Sequence, residues 1–252
     1  MLRFLFSVLV MTLLAACQTN MKSSGSNTLF SWEQDFYDNC GLPSGSFERI
    51  DDPQGKILRF QLEDGQVGSC RSDKAFNKIG KSRNGAPFWE RSEYASRKRT
   101  GIGVSRPELV SAEVKFVKGF SGPRETFFQI HSGSYGCNSK PVLMMKWNNG
   151  YLDLQTRSRV VMRALSISFS EVISNHLDRW IPIEIAIEDT RFIYVKFDGE
   201  VLLENYDFYY SKPCGATYIK FGIYRPGSWD RINRPNERSV LEVRNVRTEA
   251  IE

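Results

Sequence analysis

The sequence predicts an all-β protein in which two antiparallel sheets pack as a jelly roll. Short segments alternate between apolar and polar residues, and turn residues separate them at close intervals, as in sandwiches and barrels. Helical periodicity is scarce, and only residues 165–177 are predicted to hold one short helix or an irregular loop. Many strands with few helices favour a two-sheet jelly roll.

Several segments of the chain have the alternation that is typical of strands. They cover residues 57–62, 110–117, 127–131, 142–147, 151–157, 181–187, 192–197, 201–203, 218–224 and 240–246. The Asn148-Asn149-Gly150 triplet and the Asp198-Gly199 pair are hairpin-turn signals between neighbouring strands. No internal repeat is visible, and the pattern therefore indicates one large β domain.

The first residues have the pattern of an export signal. Arg3 precedes an apolar run over residues 4–14, and two alanines and Cys17 follow that run. The run is shorter than the roughly 20 residues that a membrane-spanning helix needs, so it is typical of a signal peptide. Residues 14–17 (Leu-Ala-Ala-Cys) resemble the lipobox of bacterial lipoproteins; the alternative is an ordinary signal peptide with an incidental cysteine.

The lipobox resemblance implies a domain organisation and a location. Residues 1–16 are the signal peptide, residues 17–28 carry the lipidated Cys17 and a flexible tether, and residues 29–252 form the jelly-roll domain. We therefore expect an exported protein whose lipid anchors it to a bacterial membrane. The expected location is the outer membrane, facing the periplasm or the cell surface.

Four cysteines remain when Cys17 is assigned to the lipid, and an even number indicates two disulfides in an exported protein. Three pairings are possible, and we favour Cys40–Cys70 with Cys137–Cys214 because the second pair lies close to the motifs described below. A zinc site is the weaker alternative, since the chain has no C-x-x-C pair and only 2 histidines. No cofactor is expected, and nothing in the sequence indicates a structural Ca²⁺.

The formal net charge of +5 falls by one unit when Arg3 is removed with the signal peptide. This modest basic excess is compatible with an anionic partner but does not require one. No nucleic-acid-binding motif is present. We expect a monomer that binds no nucleic acid and meets the membrane only through its N-terminal lipid.

Three segments of the chain, taken as strands, place an unusual set of polar side chains on one face. Because side chains alternate along a strand, residues two apart project together. The projecting residues are Arg91 and Glu93, Gln129 and His131, and Tyr218, Lys220 and Tyr224. Any one of these segments alone is best explained as the solvated face of a sheet. Such faces normally contain Lys, Glu, Thr and Ser, however. Together, the three segments offer the groups of an acid–base site.

These three segments resemble the signature strands of jelly-roll polysaccharide lyases. Alginate lyases carry R-(T/S)-E-L, Q-(I/V)-H and Y-F-K-A-G-x-Y in the same order as residues 91–93, 129–131 and 218–224 here. Glucuronan lyase and heparinase I have related domains, and residues 222–225 (Gly-Ile-Tyr-Arg) are closer to theirs. Tyr94 replaces the leucine of alginate lyases, which argues against alginate as the substrate, and the likeness of residues 222–225 favours a glucuronate-type polymer.

The resemblance implies a concanavalin-like β-jelly roll with a concave substrate cleft. It also implies a lyase that cleaves a 4-linked, uronic-acid-containing polysaccharide by β-elimination and leaves 4,5-unsaturated products. Arg91 and Gln129 would neutralise the sugar carboxylate, and His131 and Tyr224 would transfer protons. The substrate-binding residues expected from the resemblance and the sequence are Lys220, Tyr218, Glu93 and Trp229.

The stereochemistry of the sugar allows two assignments of the general base and the general acid. In glucuronate and mannuronate the C5 proton and O4 lie on the same side of the ring, so Tyr224 can act as both base and acid. In guluronate and iduronate they lie on opposite sides, and His131 is then the base. Two other functions are alternatives: a lipoprotein that binds acidic glycans without cleaving them, and a glycoside hydrolase that uses Glu184 and Glu188.

Overall fold

The structure is a computed structural model of the chain. It describes residues 28–29, 36–38, 41–63, 66, 90–96, 106–118, 120, 125–132, 141–148, 151–157, 164–172, 176–208, 217–225 and 238–251. Within this part of the chain, no helix is long and apolar enough to cross a membrane.

The described residues form strands that assemble into two antiparallel sheets. In chain order they are β1 (Thr28–Leu29), β2 (Phe36–Asp38), β3 (Phe47–Asp52), β4 (Gly55–Leu62), β5 (Glu90–Ser96), β6 (Glu108–Phe116), β7 (Glu125–Ser132), β8 (Pro141–Asn148), β9 (Tyr151–Arg157), β10 (Ala164–Val172), β11 (Ile181–Glu188), β12 (Arg191–Phe197), β13 (Glu200–Asp207), β14 (Thr217–Arg225) and β15 (Ser239–Ala250). The eight-stranded sheet has the order β13-β12-β11-β6-β15-β4-β3, with β1 on β15, and the seven-stranded sheet has the order β10-β9-β8-β7-β14-β5-β2.

The two sheets pack through their apolar faces. In β14, Ile219, Phe221 and Ile223 are fully buried, because alternation turns every second side chain towards the other sheet. The Phe221 ring packs edge-on against Phe60 of β4, with ring centroids 5.8 Å apart. Strand β14 therefore has one face fixed in the core and presents its other face outwards.

Aromatic residues also fill the core beneath β7 and β8. Phe116 of β6 packs perpendicular to Phe127 of β7 with ring centroids 4.9 Å apart, and its centroid lies at the same distance from that of Trp147 in β8. Trp147 is only 4% exposed. It therefore packs in the core, as expected for most single Trp residues in such a chain.

Each strand predicted from sequence overlaps an observed strand, which confirms the all-β prediction. The prediction of a short helix or irregular loop over residues 165–177 is wrong for its first half, because residues 164–172 form β10 and pair with β9. Leu165, Ile167 and Phe169 alternate with serines there, which is a period of two. The edge strand β3 was not predicted, because its sequence Phe-Glu-Arg-Ile-Asp-Asp contains few apolar residues.

Candidate active site

The structure brings together, on one face of the seven-stranded sheet, all the predicted site residues that it describes. Strand β14 lies between β5 and β7. Its ladders pair Tyr224 with Arg91, Gly222 with Glu93, Lys220 with Gln129, and Tyr218 with His131. Directly paired residues have Cβ atoms about 4.5–5.5 Å apart. We call this outward surface of β5, β14 and β7 the site face.

Glu93 lies at the centre of the hydrogen bonding on the site face. Its Oε2 accepts a hydrogen bond from Arg91 Nη1 at 3.0 Å, and its Oε1 accepts one from Gln129 Nε2 at 2.6 Å. The carboxylate is buried, with 1% of the residue exposed. Glu93 therefore fixes the positions of the guanidinium and the amide, and its expected contact with substrate stays a prediction.

Arg91 links this network to Tyr224. The guanidinium carbon of Arg91 lies 4.5 Å from the centroid of the Tyr224 ring, within the range of a cation–π contact. Arg91 is 8% exposed and Tyr224 is partly exposed. The guanidinium is therefore fixed between a buried carboxylate and the tyrosine ring, which restricts the orientation of both side chains.

His131, Tyr218 and Lys220 form a second group on the site face. The His131 and Tyr218 rings lie 5.2 Å apart at an interplanar angle of 34°, and Lys220 Nζ lies 5.8 Å from the Tyr218 ring centroid. Tyr218 and Tyr224 are six residues apart, which is about 20 Å along an extended strand. His131 is therefore grouped with Tyr218 and Lys220, towards the end of β14 opposite Tyr224.

A close backbone approach between β14 and β5 occurs at Gly222. A Cβ atom on Gly222 would lie 2.2 Å from the Ser92 carbonyl oxygen and 2.7 Å from the Glu93 Cα, and its φ is +129°. Only glycine adopts that conformation without strain and leaves room for the neighbouring backbone. The β14 motif is recognisable in the sequence, but its close contact with β5 is visible only in the structure.

Irregular pairing flanks the site face. The β14–β7 register shifts between Phe221 and Tyr224, and the β7–β8 register shifts between Thr126 and Phe128. Phe127 and Phe128 are both buried, so β7 places two successive side chains in the core here. Bulges of this kind redirect side chains and are common beside active sites; here the shift brings Thr126 opposite Tyr224.

Strands β8 and β9 lie next to the site face in the same sheet, and none of their residues was predicted to belong to the site. Lys146 pairs with Thr126 in the β7–β8 ladder and with Asp153 in the β8–β9 ladder. The ammonium group of Lys146 donates a hydrogen bond to the Gln155 side-chain oxygen. The sequence does contain a signal for this position of Lys146. Lys146 stands between Met145 and Trp147, which are both buried, so strand alternation places the lysine on the outward face.

Several predicted residues fall outside the described part of the chain. These are Trp229, the lipidation residue Cys17, and the disulfide cysteines Cys40, Cys70, Cys137 and Cys214. Their assignments remain predictions from sequence. Among the described residues, no group of three or more His, Cys, Asp or Glu side chains is arranged to hold a metal ion.

The carboxylates of the alternative hydrolase site lie on the other sheet. Glu184 and Glu188 belong to β11 of the eight-stranded sheet. Glu184 Oε2 lies 3.5 Å from Lys196 Nζ, and Glu188 Oε2 lies 3.4 Å from Arg191 Nη2. Both carboxylates are thus paired with cations on a sheet that does not contribute to the site face.

Comparison with solved structures identifies the fold. Alginate lyase A1-II′ of family 7, in complex with its product, has a TM-score of 0.58 at 16% identity, over 86% of this chain and 95% of that chain. The endo-β-1,4-glucuronan lyase from the fungus Trichoderma reesei has a TM-score of 0.55 at 12% identity, over 85% and 94%. Alginate lyase AlyC3 in complex with dimannuronate has 0.52 at 14%, over 90% and 99%.

The chain has the jelly-roll fold of these polysaccharide lyases. This confirms the fold that the three strand motifs predicted, and it extends over nearly the whole length of each matched lyase. No family model matches the sequence, and no curated protein matches it either. The similarity is therefore one of structure alone.

Proposed function

We propose that this protein is a polysaccharide lyase that cleaves a 4-linked, uronic-acid-containing polymer by β-elimination. The observation that carries the proposal is the hydrogen-bonded set of Arg91, Glu93 and Gln129, which lies beside Tyr224. The same fold in alginate and glucuronan lyases supports it. Two of the matched alginate lyase structures contain an oligosaccharide substrate or dimannuronate, which supports a polysaccharide as the partner.

The reaction requires a group that stabilises negative charge on the sugar carboxylate. Removal of the C5 proton places additional negative charge on that carboxylate, and its neutralisation lowers the barrier. A guanidinium and an amide both donate N–H hydrogen bonds, so Arg91 and Gln129 are groups of the kind that bind a carboxylate. Because Glu93 orients both groups before substrate arrives, little reorganisation is needed during the reaction.

The proton transfers are assigned to Tyr224. Its ring packs against Arg91, so a sugar whose carboxylate binds Arg91 would have its C5 close to the Tyr224 phenol. A single tyrosine can remove the C5 proton and return it to O4 when both lie on the same side of the sugar ring. The proposed elimination is therefore syn.

Syn elimination favours a glucuronate- or mannuronate-type substrate. The register of β14 supports this choice, because it places His131 opposite Tyr218, at the other end of the strand from Tyr224. These three side chains offer a cation, hydrogen-bonding groups and ring faces to a neighbouring sugar. Of the two sugars, glucuronate is favoured by the likeness of residues 222–225 to the glucuronan lyase motif.

The test is a panel of polymers that contains glucuronan, alginate blocks and glycosaminoglycans. The expected result is rising ultraviolet absorbance from the C4–C5 double bond with glucuronan, and a smaller rise or none with polyguluronate. New reducing ends without ultraviolet absorbance from the C4–C5 double bond would show hydrolysis and contradict the proposal. Binding without either signal would identify a glycan-binding protein instead.

We also propose that Cys17 anchors the mature protein to a bacterial membrane. The support is the Leu-Ala-Ala-Cys sequence at residues 14–17 and the polar tether that follows it. Cys17→Ser is expected to move the protein from the membrane fraction to the soluble fraction while leaving the folded domain unchanged. A Cys17→Ser protein that still fractionates with membranes would contradict the anchor.

A further inference from the structure

Arg225 joins the ends of five strands inside the core. It is the last residue of β14, and its side chain contacts the last residue of β4 and the first residues of β5, β7 and β15. Those residues are Leu62, Glu90, Glu125 and Ser239. Two of the five strands, β4 and β15, belong to the eight-stranded sheet, so the cluster also ties the two sheets together.

The guanidinium uses all three of its nitrogens in this cluster. Its Nε donates to Glu125 Oε1, its Nη1 donates to Glu90 Oε2 at 3.2 Å, and its Nη2 donates to the Leu62 carbonyl at 3.2 Å and to Ser239 Oγ at 3.1 Å. The Ser239 hydroxyl in turn donates to Glu125 Oε1 at 2.8 Å. Planar guanidinium geometry suits several partners in one plane, which a lysine ammonium does not reproduce.

Stability alone gives little reason for a buried ion cluster at this position. Arg225, Glu90, Glu125 and Ser239 are all 0% exposed. Burying charges costs solvation, and replacing a buried ion network by apolar residues of similar volume is often neutral or stabilising. In some proteins a buried polar network also specifies a single arrangement of the elements that carry it.

Two charged members of the cluster adjoin site-face residues in the chain. Glu90 precedes Arg91, and Arg225 follows Tyr224. The β14–β5 ladder pairs Arg225 with Glu90 and, one step inward, Tyr224 with Arg91. Arg91 and Tyr224 therefore stand at strand ends, where the ladder finishes and local opening is easiest. Tyr224 cannot shift along or out of the sheet without displacing the guanidinium that holds the five ends.

We propose that Arg225 is a positioning residue for the proton transfers made by Tyr224. This inference rests on the proposed lyase function. Held on the core side, Arg225 keeps the end of β14 against the ends of β5 and β7. The Tyr224 phenol and the Arg91 guanidinium consequently stay in register with each other. When a mutation away from the reacting atoms misplaces a catalytic group by about 1 Å, the rate can fall by about 10²-fold.

Two variants test the proposal. Arg225→Lys keeps the charge but not the planar set of donors, and the triple variant Glu90→Leu/Glu125→Leu/Arg225→Met replaces the ions by apolar groups and leaves no unpaired charge. On glucuronan, at a temperature where circular dichroism shows both to be folded, kcat is expected to fall about 10–100-fold. KM is expected to change by less than about twofold, because the loss concerns the chemical step.

Arg244→Met is the matched control. Arg244 is also buried, at 8% exposure, and it is paired with Glu113 at 3.0 Å, but it lies in β15 away from the site face. Its loss is expected to lower the urea midpoint without lowering kcat on folded protein. Hydrogen exchange gives a readout that needs no activity: the amides of Arg91 and Tyr224 are expected to exchange faster in Arg225→Lys than in wild type or in Arg244→Met.

The outcomes separate this inference from the proposed function. A wild-type protein that makes no unsaturated product from any polymer removes the proposed function, whereas the exchange of the Arg91 and Tyr224 amides still tests whether Arg225 holds the strand ends. An active wild type whose folded Arg225 variants keep kcat within about twofold overturns the positioning role. An equal loss of kcat in Arg244→Met also overturns it, since the effect would then follow stability alone.

Discussion

Gly222 lies directly opposite Glu93 in the β14–β5 ladder, and a Cβ atom on Gly222 would lie 2.7 Å from the Glu93 Cα. Glu93 in turn holds Arg91 and Gln129 through its two carboxylate oxygens. The positions of Arg91 and Gln129 therefore depend on the absence of a side chain at one residue of β14. This relationship explains physically why a glycine belongs in the middle of the β14 motif.

Gly222→Ala is expected to reduce both stability and turnover. The added methyl group must push the β5 backbone away, and the φ of +129° is strained for alanine. We expect the free energy of unfolding to fall by about 1–3 kcal/mol and kcat to fall by at least about 10-fold. Urea denaturation and product absorbance measure the two effects.

Gly199→Ala is the control for this prediction. Gly199 also has a positive φ, +81°, but a Cβ atom there would meet nothing within 4 Å. Its substitution should therefore lower stability through backbone strain while leaving kcat unchanged. A Gly222→Ala protein that loses stability like Gly199→Ala but keeps full turnover would show that the β5 approach does not position Glu93 for the reaction.

Glu93→Gln and Gln129→Ala are expected to act on the same interaction. The Glu93→Gln change would keep an acceptor for one partner but remove the negative charge beside Arg91, and Gln129→Ala would remove the amide itself. We expect each variant to lower kcat by about 10–100-fold, and the double variant to lose much less than the product of the two effects. Kinetics of the four proteins form the double-mutant cycle; full additivity would mean that Glu93 does not act through Gln129.

The site face was predictable from sequence because it depends on a period of two. Residues 129–131 and 218–224 alternate cleanly, and the structure places their polar members on one surface. The Arg225 cluster was not predictable, because its partners Leu62, Glu90 and Ser239 are set by strand order rather than by spacing along the chain. A sequence reports which face a side chain takes, whereas a jelly-roll topology decides which distant residue it meets.

Lys146→Met is expected to weaken polymer binding without affecting the chemical step. Lys146 lies on β8 in the same transverse row as Arg91 and Tyr224, three strands from β5 or about 14 Å. A polyanion that crosses the strands would meet this cation, so we expect KM to rise by about 2–10-fold and kcat to stay unchanged. The effect should decrease with added salt.

Lys196→Met is the matched control for Lys146→Met. Lys196 is a partly exposed lysine on the eight-stranded sheet, where it faces Glu184 at 3.5 Å. Its removal changes the net charge by the same amount but leaves the site face intact. If both variants raise KM equally, the effect reflects net charge rather than a local contact, and Lys146 has no place in the binding surface.

Asp198 gives a pH-dependent prediction that is independent of activity. The hydrogen bond from Arg179 is the main cause that lowers the pKa of the Asp198 carboxyl, and His176 lowers it further. A lowered folded-state pKa contributes stability above the unfolded value, about 3.9, and that contribution is lost as pH falls through the folded-state value. Urea midpoints of wild type and Asp198→Asn should therefore converge below about pH 4; a constant difference down to low pH would contradict the ionic role.

Tyr224→Phe and His131→Ala together decide how the protons move. In Tyr224→Phe the ring can still pack against the Arg91 guanidinium, 4.5 Å from its centroid, and only the hydroxyl is lost. We expect kcat on glucuronan to fall by about 10²–10⁴-fold, as for other general acid–base groups, with the melting temperature and glycan affinity little changed.

His131 lies beside Tyr218, so His131→Ala should mainly raise KM and leave most of kcat. A His131→Ala protein as inactive as Tyr224→Phe would indicate anti elimination with His131 as base. Near-normal turnover by Tyr224→Phe would remove the central assignment, and a glycan-binding role would then account better for the site face.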